Sequence, residues 1–227
     1  MGSGFTQGSN FLVPSYTLPL ISTKTYIYGK NLIMTEISSL CVFCGSKTGE
    51  SPAYEAAARR LGEQMADRGI RLVYGGGRIG LMGVVADAVL AGGGEVIGII
   101  PEFLKDLEVG NDAVTEQIVT GSMHARKTRM FELADGFVVL PGGLGTLDET
   151  VEIITWKQLQ LHAKPVVVLN TDGYWSVFED LIRRTVDSGF AHSAVAELFT
   201  MVAKPEDVFP ALAAQPEPKE EVLTSHL

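Results

Sequence analysis

Short apolar runs alternate along the chain with segments whose apolar residues recur every three or four positions. Runs of the first kind lie at residues 40–44, 71–74, 95–100, 137–140 and 165–169, with a further possible short strand at 114–119. Continuously apolar strands that alternate with helices are typical of a parallel sheet whose two faces are both covered. We therefore predict an α/β protein with a Rossmann-like three-layer fold, in which helices lie on both faces of a central parallel sheet.

Capping residues mark where helices begin and end between these strands. Ser51 followed by Pro52 indicates a helix start, and Gly69 indicates its end. Ser122 begins another helix, which ends near Asp135. Further helices are predicted to end at residue 91 and to span residues 146–161 and 174–188, and a last element is predicted at 203–213.

The two ends of the chain are expected to lie outside the fold. Residues 1–35 form a disordered or vector-derived extension, because the apolar stretch at 11–21 is broken by Pro14 and Pro19 and lacks the preceding basic region of a signal peptide. Met34 is the expected natural start, so deletion of residues 1–33 should preserve folding and activity. Residues 36–213 are predicted to form a single domain, followed by a flexible tail at 214–227.

Composition narrows the classes of protein to consider. The 227 residues are 46% hydrophobic, which suits one globular domain, and the net charge of −9 disfavours a general nucleic-acid binder. No apolar run approaches the length of a membrane span. The four histidines are scattered, so no metal site is expected, and two cysteines indicate the reducing cytoplasm. Cys41 and Cys44 have C-x-x-C spacing, but in a strand they point to opposite faces, which disfavours a redox role.

Three glycine-rich loops follow predicted strands, at residues 45–49, 75–83 and 142–145. Ligands of parallel sheets bind at the carboxyl ends of the strands, so one pocket is predicted there. Glycines 75, 77 and 80 satisfy G-x-G-x-x-G, but no acidic residue closes the next strand, and Glu95 begins that strand instead. No G-x-x-x-x-G-K-[ST] motif occurs. A mononucleotide therefore fits better than a dinucleotide or a P-loop substrate.

The loop at residues 142–145 joins a strand to a helix, a geometry that binds phosphate through backbone amides and the helix N-terminus. Glu149 follows one turn inside that helix. An alternative is a capping box, with Thr146 at N-cap and Glu149 at N3. Arg126 lies on an apolar helix face between Met123 and Met130, and a guanidinium there needs an anion or a structural ion pair.

Two motifs together resemble the LOG ("lonely guy") family. They are P-G-G-x-G-T-x-x-E at residues 141–149 and M-H-x-R-K at residues 123–127, and residues 41–46, 74–83 and 153–156 also match in order. The resemblance covers about residues 40–190 and implies a Rossmann-like homodimer. It implies cleavage of the N-glycosidic bond of a cytokinin riboside 5′-monophosphate, or of AMP, to free base and ribose 5-phosphate, without a cofactor or metal.

The resemblance also assigns roles to residues at matching positions. Arg126 and Glu149 are implied to be catalytic. The substrate- and phosphate-binding residues implied are Gly45, Ser46, Gly76, Gly77, Met82, Glu108, Lys127, Gly142, Gly143, Gly145, Thr146 and Thr155. Leu144 stands where plant members often have tyrosine, and the loop around Glu108 departs from their usual sequence.

Three other functions compete with this one. An AMP nucleosidase would use identical chemistry on a smaller base. A non-catalytic nucleotide-binding module would keep the glycine loops but would not need both Arg126 and Glu149. The name "possible lysine decarboxylase", carried by many members of the family, requires a pyridoxal phosphate lysine, and neither Lys127 nor Lys164 has the sequence context for one.

Overall fold

The computed structural model describes residues 37–105 and 110–214. Its centre is a seven-stranded sheet in the order β4-β3-β2-β1-β5-β6-β7, in which all neighbouring strands are parallel. The strands are β1 Ser39–Phe43, β2 Arg71–Tyr74, β3 Val96–Pro101, β4 Glu116–Thr120, β5 Gly136–Val139, β6 Val166–Leu169 and β7 Thr200–Val202. The predicted Rossmann-like architecture is confirmed.

Helices cover both faces of the sheet. They are α1 Pro52–Asp67, α2 Gly80–Ala91, α3 Glu102–Lys105, α4 Met123–Leu133, α5 Leu144–Gln158, α6 Ser176–Asp187 and α7 Val208–Ala214. Apolar side chains of α1, α2 and α7 form one core cluster, and those of α4, α5 and α6 form the other. None of these helices is both long enough and apolar enough to cross a membrane.

The strand order reverses between β1 and β5, and such a point is where open α/β sheets bind ligands. Backbone hydrogen bonds join the two strand ends here. The amide of Leu140 donates to the Phe43 carbonyl at 2.9 Å, and that of Gly45 donates to the Pro141 carbonyl at 3.0 Å. Two of the three predicted glycine loops therefore meet at the switch point.

Most predicted elements are present, with shifted ends. Ser51 caps α1 through its hydroxyl, and Ser122 caps α4 in the same way, as predicted. The predicted element at 203–213 is a short 3-10 turn, Pro205–Asp207, followed by α7. Strand β7 and the four-residue α3 were not predicted. Residues 1–36 and 215–227 lie outside the described residues, so the domain boundaries, the tail and the start at Met34 stay predictions.

Candidate active site

The phosphate loop leads into α5 earlier than the sequence predicted. The helix begins at Leu144 with Gly143 at N-cap, and no side chain caps it. Thr146 is buried in the first turn, where its hydroxyl lies so close to Gly142 that a Cβ there would stand 2.1 Å from it. The alternative of a capping box is therefore wrong, because the helix starts at Leu144, two residues before Thr146, and Glu149 lies in its second turn.

The start of α5 offers backbone amides to a ligand. The first amides of any helix lack an intrahelical acceptor, and here the Leu147 amide makes the bond to the Gly143 carbonyl, at 3.0 Å. A Cβ built on Gly143 or Gly145 would meet nothing within 4 Å, so the space beside the loop is open. Leu144, at the position of the plant tyrosine, is 85% exposed. The loop thus has the open, amide-lined form of an anion site.

Gly45 and Met82 meet the phosphate loop at the switch point. A Cβ on Gly45 would lie 3.3 Å from the Gly142 Cα, and the Met82 amide approaches the Gly45 carbonyl at 3.4 Å. Ser46 lies against the start of α2, since a Cβ on Gly80 would meet the Ser46 backbone at 2.2 Å. Three predicted site residues, Gly45, Met82 and Gly142, are therefore brought into one junction.

A cavity of about 390 Å³ lies on the α1 side of this junction. Four predicted site residues line it, together with Tyr54 of α1, Leu81 of α2 and others; the four are Gly45, Ser46, Gly142 and Gly143. Arg126 and Glu149 do not line it. They belong to α4 and α5, which pack on the opposite face of the sheet. The junction of Gly45, Met82 and Gly142 therefore lies between this cavity on one face of the sheet and Arg126 and Glu149 on the other.

Arg126 is anchored to the end of β2. It is only 5% exposed, and its Nη2 donates to the Gly75 carbonyl at 3.0 Å. Its Nη1 lies 3.8 Å from the Met123 sulfur, and its Nε is buried without a hydrogen-bond partner among the described residues. Both acceptors are uncharged. A buried guanidinium whose hydrogen-bond acceptors are uncharged is suited to bind an anionic ligand.

Gly75 is needed for this placement, although the sequence did not single it out as a site residue. A Cβ at position 75 would stand 2.1 Å from the Arg126 Nη2 and 3.1 Å from the Met82 sulfur. The absence of a side chain therefore creates the slot that holds the guanidinium. The available signal was the position of Gly75 directly after an apolar strand.

The end of β1 lies within the electrostatic reach of both catalytic candidates. The pKa of Cys44 is raised well above its usual value, mainly by burial and also by the negative charge of Glu149. The positive charge of Arg126 opposes this shift. The pKa of Cys41 is raised by burial and by Glu149 and Cys44, against opposing effects of Arg126 and Lys164. Arg126 and Glu149 thus act on one region from two helices. Both thiols are free and buried and belong to opposite core clusters, and their raised pKa values keep them protonated, which disfavours a redox role.

Lys127, next to Arg126 on α4, is held by α5. Its Nζ lies 3.1 Å from the Asp148 carboxylate and 3.0 Å from that of Glu152. Burial acts to lower the pKa of Lys127, but hydrogen bonds to Glu152 and Asp148 outweigh it and raise the pKa. Its predicted contact with the nucleotide stays a prediction. Thr155 lies farther along α5 with an exposed side chain.

Gly76 and Gly77 contact neighbouring strands and loops. The Gly76 carbonyl accepts from the Asn111 amide at 3.1 Å, and Gly77 forms an isolated antiparallel bridge with Gly110. Gly76 and Gly77 therefore hold Gly110 and Asn111 next to the loop that follows β2. Glu108 lies outside the described residues. No group of three or more metal-ligating side chains occurs within residues 37–105 and 110–214.

Comparisons with known proteins agree with this architecture. A family model described as "possible lysine decarboxylase" matches residues 82–212. Cytokinin riboside 5′-monophosphate phosphoribohydrolase LOG7 of Arabidopsis thaliana is 42% identical over 188 residues, which are 83% of this chain and 86% of that protein. LOG3 of the same plant, which bears the same enzyme name, is 45% identical over 172 residues, 76% of this chain and 80% of that protein.

The fold also occurs among solved structures. The molybdenum cofactor binding protein of Rippkaea orientalis superposes with a TM-score of 0.59 at 24% identity, and the match covers 78% of this chain and 95% of that one. This likeness concerns the fold alone. The family model and the two plant relatives show that the chain belongs to the LOG family.

Proposed function

We propose that the protein hydrolyses the N-glycosidic bond of a cytokinin riboside 5′-monophosphate and releases the free base and ribose 5-phosphate. The observation that carries this proposal is the buried guanidinium of Arg126, whose hydrogen bonds go to uncharged acceptors and which acts on the same end of β1 as Glu149. A carboxylate and an anion-binding cation beside a phosphate loop are what this reaction needs. The activity of the plant relatives named above supports it.

The 5′-phosphate binds the amides at the start of α5. The Gly143 N-cap, the missing side-chain cap and the open space beside Gly143 and Gly145 leave these donors accessible. The positive end of the helix dipole adds to the attraction. This contact fixes the ribose relative to α5, so that C1′ lies near Glu149.

Glu149 acts on the ribose during bond cleavage. Departure of the base leaves positive charge shared between C1′ and the ring oxygen, and a nearby carboxylate stabilises that charge. The same carboxylate orients a water molecule, whose oxygen bonds to C1′ while one of its protons is released to solvent, from which the departing base takes up a proton. The electron pair of the broken C–N bond leaves with the base, which is released protonated. No oxidant or reductant is consumed.

Arg126 binds an oxygen of the phosphate or ribose. Its planar fork is held at one end by Gly75, and its remaining N–H groups can bind such an oxygen in a bidentate manner once the substrate is seated. The Gly75 carbonyl fixes one end of the guanidinium, and the missing side chain of Gly75 leaves the room that Nη2 occupies. Substrate binding thereby supplies the negative charge that the buried guanidinium needs.

The protein acts as a homodimer in the cytoplasm. Supporting a dimer, exposed apolar residues lie along one face of α5 and at its C-cap, with Leu144, Val151 and Leu159 at 85%, 47% and 57% exposure. At about 100° per residue these positions lie within one quadrant of the helix, and Thr155 lies among them. The free cysteines fit a reducing compartment. Light scattering of the purified protein tests the dimer, which a monomer mass would contradict.

The experiment for the activity uses four substrates. The purified protein is incubated with isopentenyladenosine 5′-monophosphate, AMP and the two matching nucleosides, and the released base is quantified by chromatography. We expect base from the cytokinin nucleotide, less from AMP and none from the nucleosides, because the loop recognises the 5′-phosphate. Faster release from AMP would assign the activity to an AMP nucleosidase, and release from neither nucleotide would contradict hydrolysis.

A Glu149→Gln preparation, purified in the same way, serves as the blank for contaminating nucleosidases. Base release by this blank at the wild-type rate would contradict the assignment of the activity to this site. Absence of base release, combined with tight nucleotide binding by the wild-type protein, would favour the non-catalytic binding module.

A further inference from the structure

Tyr174 reaches the phosphate loop from 32 residues away in the sequence. Its hydroxyl donates a 2.5 Å hydrogen bond to the carbonyl oxygen of Gly142. Neither Gly142 nor its neighbour Gly143 has a side chain, so the direction of their peptide unit depends on contacts made by its backbone atoms. The Tyr174 bond is such a contact.

This hydrogen bond also determines where the Gly143 amide points. The Gly142 carbonyl and the Gly143 N–H belong to one planar trans peptide, and they point in opposite directions. Tyr174 packs against Tyr54 of α1, with ring centroids 5.6 Å apart. The carbonyl is therefore drawn toward Tyr174 and α1, and the Gly143 N–H points away from them.

The turn that carries Tyr174 is held in an unfavourable conformation. Asp172 has a backbone φ of 52°, a value that residues other than glycine rarely adopt, and Gly173 follows with a φ of 72°. The Asp172 carboxylate accepts a 2.7 Å hydrogen bond from the hydroxyl of Ser51, the cap of α1. Such strain persists where the surroundings impose it, and it often marks a functional position.

The ring of Tyr174 is fixed by its neighbours as well. Trp175, which is 3% exposed, contacts it edge to face with centroids 4.9 Å apart. The Trp175 amide in turn donates to the Asn170 side chain at 2.6 Å. The hydroxyl is thus presented to Gly142 from a rigid support, with little freedom to lose when the bond forms.

We propose that Tyr174 is a positioning residue for the phosphate loop, which aims the Gly143 amide at the 5′-phosphate. This inference rests on the proposed function, because it assumes that the ligand is phosphorylated. Tyr174 lines the cavity of about 390 Å³ together with Gly142 and Gly143, and in the proposed role it influences the ligand through their shared peptide. It acts through the Gly142–Gly143 peptide, and its effect is on the binding of the phosphate.

Tyr174→Phe tests this, since it removes the hydroxyl and keeps the ring packing. We expect the KM for the nucleotide and the Kd for ribose 5-phosphate, measured by calorimetry, to rise about 3- to 10-fold, the effect of one lost hydrogen bond. The kcat should stay within about 2-fold, because only binding common to ground and transition states is lost. Affinity for the nucleoside, which has no phosphate, should not change.

Thr185→Val is the matched control. It also removes a hydroxyl that donates to a backbone carbonyl, here that of Ile182 at 2.7 Å within α6, and Thr185 does not line the cavity. Wild-type KM and Kd are expected for it. An equal loss in both variants would overturn the inference, as would a Tyr174→Phe protein that binds ribose 5-phosphate normally or loses nucleoside and phosphate affinity alike.

The two proposals fail separately. If the wild-type protein binds ribose 5-phosphate but hydrolyses no nucleotide, the proposed function is wrong, and the Kd comparison still decides the role of Tyr174. If it binds no ribose 5-phosphate under any condition, the phosphate loop is misassigned and the role of Tyr174 is overturned with it.

Discussion

The guanidinium of Arg126 donates to the carbonyl oxygen of Gly75 at 3.0 Å and thereby ties the first turn of α4 to the carboxyl end of β2. The buried cation is held by the residue that directly follows β2, so its position is tied to the end of that strand. Since Gly75 leaves no side chain beside Nη2, the slot and the cation form one unit. Changes at Gly75 should therefore act on activity through Arg126.

Gly75→Ala is expected to lower kcat/KM by at least about 10-fold, the usual cost of displacing a charged group that binds the transition state. The added methyl would stand 2.1 Å from Nη2, so the guanidinium has to leave its slot. Steady-state base release measures the effect, and thermal unfolding shows whether the fold is kept.

Gly121→Ala is the control for this substitution, because a Cβ at Gly121 would meet nothing within 4 Å. It lies just before α4 and should behave like the wild type. A Gly75→Ala enzyme with unchanged kinetics would show that the guanidinium position does not matter to the reaction.

Glu149→Gln keeps the shape of the side chain and removes its charge. We expect kcat to fall on the order of 10²-fold or more, because positive charge develops on the ribose only during cleavage. Since α5 does not rely on Glu149 as a cap, the melting temperature should change little. Glu132→Gln, an exposed carboxylate of α4 that pairs with Arg129, is the control. Near-normal turnover by Glu149→Gln would remove Glu149 from the chemistry.

Lys127 and Glu152 are expected to be coupled in stability. Their side chains are 16% and 24% exposed, so their 3.0 Å ion pair is better shielded than a surface pair. A double-mutant cycle with Lys127→Met and Glu152→Gln should give a coupling of about 1 kcal/mol in the free energy of unfolding. The Arg129–Glu132 pair, at 45% and 52% exposure, should give a value close to zero in the same cycle. Equal couplings in the two cycles would contradict the expectation that the ion pair between Lys127 and Glu152 stabilises the packing of α4 against α5.

Local sequence was enough to predict the sheet and the main loops. The five core strands are continuous apolar runs whose side chains are buried on both faces of the sheet. Such strands are typical of a parallel sheet that is covered by helices on both sides. The apolar pattern does not predict the short edge strand β7, because its three residues are half-exposed and do not form a continuous apolar run. Ser51 and Ser122 marked helix starts correctly because a cap is a contact between near neighbours in the chain.

The site was harder to derive, because its details depend on contacts between distant segments. Thr146 looked like a cap, yet its hydroxyl packs on Gly142 and the helix starts at Leu144. Arg126 was expected to need an anion, but its anchor at Gly75 lies 51 residues away. Likewise, nothing near Tyr174 in the sequence points to Gly142. Such pairings follow from strand order, which local spacing does not encode.

His162 gives the fold a defined sensitivity to acid. Burial is the main cause that lowers its pKa to about 4 from the ordinary 6.5; Lys157 and Lys164 add to it, against the opposing bond to Ile153. The ring Nε2 donates to the Ile153 carbonyl at 3.0 Å, and Nδ1 accepts from the Lys164 amide at 3.1 Å. Protonation of Nδ1 would break the hydrogen bond that this nitrogen accepts from the Lys164 amide, so the folded state favours the neutral ring.

The sign of the pH effect follows from this shift. Above pH 6.5 the ring is neutral in both states, and its contribution to stability is complete. As the pH falls from 6.5 toward 4, the unfolded chain binds a proton that the folded chain does not, so the free energy of unfolding decreases. Denaturant unfolding between pH 7 and 4.5 should show this slope in the wild type, and His162→Gln should reduce it. The exposed His124, replaced by Gln, is the control, and an unreduced slope in His162→Gln would assign the acid sensitivity to other groups.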